Sequence, residues 1–128
     1  MAVHGPDLVG RRFSSQHTRL VTAEAISTFA SAIGADPRFT PPTFLISFSV
    51  AAAEEFLPTI GFDWARVVHG DQRFVINRPI VAGDSFKCSS TIENYKVAAG
   101  NEIVTVRSDL HSGNQLVVST WSTLVVRA

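Results

Sequence analysis

The stretch Thr43–Leu57, TFLISFSVAAAEEFL, constrains this chain more than any other. Phe44 and Phe48 are four apart. Leu45, Ser49, Ala52 and Phe56 follow helical spacing, as do Ile46, Val50, Ala53 and Leu57. A helix here is apolar almost all round until Glu54, which is the pattern of a helix buried in a core. The apolar run Phe44–Ala53 is shorter than the roughly 20 residues of a bilayer span. At about 1.5 Å per residue the helix is about 22 Å long. That matches the width of about five strands spaced roughly 4.8 Å apart. Ser47, Ser49 and Ala51–Ala53 are small enough for a sheet to approach closely. Pro58 and Gly61 are expected to stop the helix.

The rest of the chain supplies the sheet. Met1–Pro6 reads as a loose start, and His17–Val21 as a short strand. Thr22 is a helix N-cap with Glu24 in the first turn. Ile26, Phe29, Ala30 and Ile33 then recur at amphipathic spacing, and Gly34 closes the helix. The loop ADPRFTPP is stiffened by Pro37, Pro41 and Pro42 and feeds the central helix. After Gly61 the period changes to two. Val67–Arg78, Ser85–Val97, Glu102–His111 and Gln115–Arg127 read as long strands, separated by turns at Val81–Asp84, Ala99–Asn101 and Ser112–Asn114. Phe86, Cys88, Ser90 and Ile92 share one face. Strands joined by short turns form an antiparallel meander, and helices followed by strands argue α+β. A meander curled round one buried helix is the hot-dog architecture, over a single domain, residues 1–128.

With 128 residues, 45% apolar and 17% charged, the chain is long enough for a real core and too apolar for disorder. Eleven basic and eleven acidic residues cancel, with no basic run to favour nucleic acid or an anionic membrane. Cys88 is the single cysteine, so no internal disulfide forms. MAVHGPDLVGRRF lacks a signal-peptide core, and a cytoplasmic location is expected. The strand Leu116–Val126 is long and poorly guarded by charge, which predicts edge pairing and a dimer, with itself or with a sister chain.

RFVINRPIVAGD (Arg73–Asp84) resembles the strand–Pro–turn–Gly-Asp segment of MaoC-like hot-dog hydratases and dehydratases. VVHGDQRFVINRPIVAGD and the ending STWSTLVVR are similar to their N-terminal-dehydratase branch, which includes accessory subunits of mycobacterial-type (R)-3-hydroxyacyl-ACP dehydratases. Gly10-Arg11, Ala32-Ile33-Gly34 and Pro41-Pro42-Thr43-Phe44 stand where that branch carries its other marks. The resemblance implies water addition to an enoyl thioester of CoA or acyl carrier protein, or its reverse, with no cofactor. In active members an Asp and a His on a G-D-x-N-P-x-H loop position water and move its proton. Backbone N–H groups at the head of the central helix polarise the thioester carbonyl. Here the loop runs Gly34-Ala35-Asp36-Pro37-Arg38-Phe39. No His lies between Gly34 and Pro42, and Phe39 stands roughly in its place.

The catalytic candidates are therefore Asp36 and His69, the histidine of the densest motif region. Each has a plainer reading, Asp36 as a turn residue before Pro37 and His69 as a capping residue. Pro42, Thr43, Phe44 and Phe48 are the substrate-binding candidates. His4, His17 and His111 lack metal-ligand spacing, and no metal site is expected. Gly83-Asp84 carries a structural reading, a turn with a backbone-bonding carboxylate. Three functions stay open. One is a hydratase or dehydratase, active if Asp36 joins His69 or a partner's histidine. The second is a non-catalytic acyl-binding partner of a sister hot-dog subunit. The third is a hot-dog thioesterase using Glu54 or Glu55.

Overall fold

A computed structural model of the chain describes residues 4–128. Its strands are β1 (Arg12–Ser14), β2 (Arg19–Leu20), β3 (Val67–Ile76), β4 (Ser85–Ala98), β5 (Asn101–Ser112) and β6 (Gln115–Val126). Its α-helices are α1 (Ala23–Ala32) and α2 (Ile46–Phe56). The strands form one antiparallel sheet in the order β1-β4-β5-β6-β3, with β2 also on β4. The sheet wraps α2, the hot-dog arrangement that the change of period along the chain implies. The strand expected at an edge, Leu116–Val126, lies between β5 and β3. The long edge strand is β3 instead, and at the other end the short β1 and β2 lie on the outer side of β4. Two short-turn hairpins fix β5 beside β6 and β4, and the chain before β4 can only add to the outside.

Local chemistry explains the elements. The Thr22 hydroxyl accepts from the Ala25 N–H at 3.0 Å and starts α1, with Ile26 and Ala30 buried. Gly34 takes a left-handed φ of 71°, and the Ala35 N–H returns to the Ala30 carbonyl at 2.8 Å. The central helix runs further than Thr43–Leu57. A 3-10 turn over Pro42–Leu45 leads into α2, and a second over Leu57–Ile60 continues it. Pro58 lacks the N–H that would carry the i→i−4 ladder on from Leu57, and the helix tightens from α to 3-10 at that point. Gly61, at φ 91°, ends it. The whole run Pro42–Ile60 spans 19 residues with a mean hydropathy of 1.3, long and apolar enough to cross a membrane by those measures. Here its Phe44, Leu45, Ala52, Ala53, Phe56 and Leu57 are buried against the sheet.

A polar row crosses the inner face of the sheet under this helix. Ser90 on β4 pairs with Ser108 on β5, and Ser108 with Thr120 on β6. The Ser90 and Ser108 hydroxyls meet at 2.9 Å, and all three side chains are buried. On one side lies a core around Phe44, Leu45, Phe86, Leu110 and Val118. On the other lies a core around Phe56, Leu57, Ile92, Val104 and Leu124. The small Ser49, Ala52 and Ala53 of α2 are fully buried, which is what a close approach of the helix to the sheet requires.

The start of the chain is not loose over its described part. Met1–Val3 lie outside the described residues, but His4 is a fixed plug. Its ring stacks on Phe62 with centroids 3.9 Å apart. Nδ1 meets Glu102 Oε2 and Nε2 meets the Ile60 carbonyl, each at 2.8 Å. The Tyr95 hydroxyl donates to the same Glu102 oxygen at 2.8 Å. Burial, and then that carboxylate, push the Tyr95 phenol up to about 12. Gly61 leaves the room for His4, since a Cβ there would meet Nε2 at 3.2 Å. Gly61→Ala is therefore expected to cost about 1–3 kcal/mol, for a side chain forced into a left-handed backbone against a filled slot. Thermal denaturation should show a fall of several degrees in Tm. An unchanged Tm would remove the plug from the account of the fold.

Candidate functional site

The loop between α1 and the central helix folds back over the turn after β3. The Thr40 hydroxyl donates to the Ile80 carbonyl at 2.6 Å and pins loop to turn. The turn is held from inside. Asp84 accepts from Arg78 Nη1 and Nη2, at 3.0 and 3.1 Å, and from the Val81 N–H at 2.9 Å. Gly83, at φ 96°, lets the chain reverse. The Gly-Asp of the sequence is thus a turn clamp, as its structural reading expects.

Between loop, turn and helix head lies a cavity of about 360 Å³. Ile26, Phe39, Pro42, Leu45, Ile76 and Val81 give it mainly apolar walls. The Phe44 N–H is taken by the Pro41 carbonyl at 2.9 Å. The Thr43 N–H, one residue past the wall residue Pro42, has no hydrogen-bond partner among the described residues. Helix heads carry such unpaired donors and a partial positive charge, so Thr43 can hold a carbonyl oxygen.

The structure distributes the six candidate residues unevenly. Pro42 lines the cavity and Thr43 adjoins it. Phe44 and Phe48 form an aromatic cluster in the core, with Phe29 and Phe86. Asp36 is gripped by Arg38, whose Nη2 donates to Oδ2 at 2.7 Å and whose Nε reaches both carboxylate oxygens at 3.1 Å. Arg38 lowers the carboxyl below its ordinary value through its side chain and its backbone N–H. His69 stands on β3, where Nε2 meets Gln72 Oε1 at 2.9 Å. Within one chain, Asp36 and His69 therefore answer to different partners.

The carboxylates weighed for a thioesterase also have places. Glu54 is exposed. Glu55 accepts from the Ser15 hydroxyl at 3.0 Å and lies 3.8 Å from Arg19, tying the segment before β2 to α2. Cys88 is a buried wall of the first core, and burial pushes its thiol up.

Comparison with known proteins defines the class. The FAS1-like dehydratase domain region matches residues 36–120. The HadBC (3R-hydroxyacyl-ACP dehydratase) complex of Mycobacterium tuberculosis, C-terminally truncated, superposes with a TM-score of 0.84 at 23% identity, over 93% of this chain and 97% of the other. A MaoC-like dehydratase superposes with a TM-score of 0.82 at 20% identity, over 94% of this chain and 42% of its own. The fold is that of hot-dog dehydratases. A UPF0336 protein of Streptomyces coelicolor is 39% identical over 94% of this chain and 93% of its own. One from Streptomyces griseus subsp. griseus is 45% identical over 88% and 74%. This chain is a member of the UPF0336 family, within the FAS1-like dehydratase region.

Sequence reasoning missed most of the cavity wall. Leu45 read as core, and Ile76, Ile80 and Val81 as strand end and turn. The signal was present: a turn carrying Pro-Ile-Val is more apolar than a solvated turn needs to be. Two outcomes are expected here. Arg38→Gln should bring the Asp36 carboxyl back up toward the usual carboxylate range in an NMR titration, and an unmoved Asp36 would show that the fork is not what holds it down. Arg78 is the chief cause of a lowered Asp84 carboxyl, followed by the Val81 N–H once burial is set against them. A group lowered on folding stabilises the fold above its unfolded value of about 3.9 and loses that effect as pH falls through its folded value. Asp84→Ala should cost about 1–3 kcal/mol at pH 7, and urea denaturation should show the gap to wild type closing below about pH 4.

Proposed function

We propose that this chain holds an acyl thioester of CoA or acyl carrier protein at the head of its central helix. In that role it serves the interconversion of 3-hydroxyacyl and enoyl thioesters. The observation that carries this reading is the apolar cavity beside the open Thr43 amide. An acyl chain fits the walls, and the amide stands at the only polar group an acyl thioester must anchor. Membership in the FAS1-like dehydratase region supports the reaction class.

Asp36 bonds to Arg38 and His69 to Gln72, so the two candidates are not hydrogen-bonded to each other within one chain. An ionised Asp36 held by Arg38 is a weak base, and Phe39 transfers no proton. The reading therefore makes this chain half of a two-chain unit. Subunits of complexes named HadBC and ChsH1-ChsH2 share its fold, which supports such a partner. The same Asp36–Arg38 fork favours the second reading, an acyl-binding subunit whose sister chain does all the chemistry.

Binding tests the first claim without requiring turnover. The protein should bind a long-chain acyl-CoA by isothermal titration and bind CoA itself much more weakly. Phe39→Glu with Val81→Glu places two carboxylates on the cavity wall at exposed positions. This double variant should weaken acyl-CoA binding at least about tenfold, or about 1.4 kcal/mol. Equal binding of CoA and acyl-CoA, or an unaffected double variant, would rule out the cavity as the acyl site. Release of free CoA thiol on incubation would favour the thioesterase.

A further inference from the structure

The wall of the helix-head cavity is apolar with two exceptions. Of the side chains that line it, only those of Arg38 and Thr40 carry a polar atom. Arg38 is a donor alone, and its Nε and Nη2 are engaged by Asp36. Thr40 is half-buried and stands just before the Pro41-Pro42 pair. Its hydroxyl donates to the Ile80 carbonyl at 2.6 Å, and a carbonyl oxygen can only accept. The Thr40 proton is therefore taken, and its oxygen is left on the cavity wall as an acceptor. Among the described residues nothing donates to that oxygen.

That acceptor is held in place from both sides. Pro37, Pro41 and Pro42 stiffen the loop that carries it, and Pro79 stiffens the turn that it bonds to. A hydroxyl turned away from Ile80 would leave a part-buried carbonyl without its partner. The Thr43 N–H, the open donor at the helix head, is three residues further along the chain. Three residues span at most about 10 Å. One fixed acceptor and one fixed donor thus share the same end of an apolar cavity.

This pair of points describes a ligand. It needs a carbonyl oxygen for the Thr43 N–H, a hydroxyl proton for the Thr40 oxygen, and an alkyl tail for the walls. A saturated or an enoyl thioester has the carbonyl and the tail, but it has no donor and leaves the Thr40 oxygen dry beneath the chain. A 3-hydroxyacyl thioester has all three. Its carbonyl carbon and its hydroxyl-bearing carbon are separated by a single methylene, so both polar groups sit at one end of the molecule. A site built to bond a substrate hydroxyl discriminates against the analogue that lacks it.

We propose that Thr40 is the specificity-determining residue of the helix-head cavity, and that its oxygen accepts a hydrogen bond from the 3-hydroxyl of a 3-hydroxyacyl thioester. This rests on the acyl-thioester reading and deepens it, because the chain then holds the hydroxylated form in preference to the saturated and unsaturated ones. Thr40 moves no proton, since its own is held by Ile80. It binds and orients. The carbonyl at Thr43, the hydroxyl at Thr40 and the tail along the walls are three fixed points, so the two enantiomers of the ligand are told apart.

Isothermal titration with tetradecanoyl-CoA and the two enantiomers of 3-hydroxytetradecanoyl-CoA tests this. The better enantiomer should bind about fivefold more tightly than the saturated compound, the effect of one neutral hydrogen bond. Its methyl ether, with no proton to donate, should lose that advantage. Thr40→Ser keeps the oxygen and should keep the ratio. Thr40→Val should bring the ratio to about one, whereas a loosened loop alone would weaken both ligands alike. Equal binding of the hydroxylated and saturated compounds, a methyl ether that binds as tightly as the alcohol, or a ratio that survives in Thr40→Val would each overturn the proposal. The first two results come from the wild-type chain and do not depend on how a variant folds. Binding of tetradecanoyl-CoA alongside any of them would leave the acyl-thioester reading standing, and no binding of any acyl-CoA would overturn both.

Discussion

The close approach of α2 to the middle of the sheet sets the position of everything else. Ser49, Ala52 and Ala53 let the helix descend onto the row Ser90–Ser108–Thr120, and the large side chains on either side then close two cores. Apolar burial of this kind contributes about 25 cal/mol per Å², and it falls away quickly if the helix is lifted, because packed interiors tolerate little added volume. The cavity is the space that remains where the helix head passes between the loop and the Ile80–Val81 turn. The Glu55 tether and the His4 plug hold the segments before β2 and β1 to the same helix and its end.

Much of this was legible because it depends on period. A run apolar on all sides must be buried, and four two-period runs joined by short turns must form a meander. Phe86, Cys88, Ser90 and Ile92 share one face in the period-two pattern, and all are buried. What sequence could not supply were features made by partners distant in the chain. β1 has three residues and exists because Arg12–Ser14 finds the flank of β4. His4 looked idle because Ile60, Phe62 and Glu102 lie far from it in sequence. Poor charge guarding points to β6 as an edge strand, but it does not distinguish an edge strand from one flanked on both sides.

The site follows the same division. Residue types near the helix head could be named, and Pro42 and Thr43 do stand there. The directions of Phe44 and Phe48 depend on helix phase, and they turn toward Phe29 and Phe86. Arg38 is two residues from Asp36, a spacing with no standing in helical or strand rules, yet the loop curls enough for a bidentate grip. The bulge at Gly70 is the least legible feature. One unpaired residue changes which side chains of β3 share a face, and nothing in a period-two pattern marks it.

The Ser90–Ser108 hydrogen bond also governs how the strands find one another. β4 and β5 pair over eleven positions, and many of their outer residues are polar, so several alignments would satisfy the outer face about equally well. A slip of one residue would turn the buried side chains outward. A slip of two would keep the faces but set Ser90 against Val106 or Leu110, both buried and both without a polar atom. Each stranded hydroxyl would then cost about 1–3 kcal/mol. The two serines add little to net stability, but they make every neighbouring alignment worse. They act as an index mark that selects a single register for the meander.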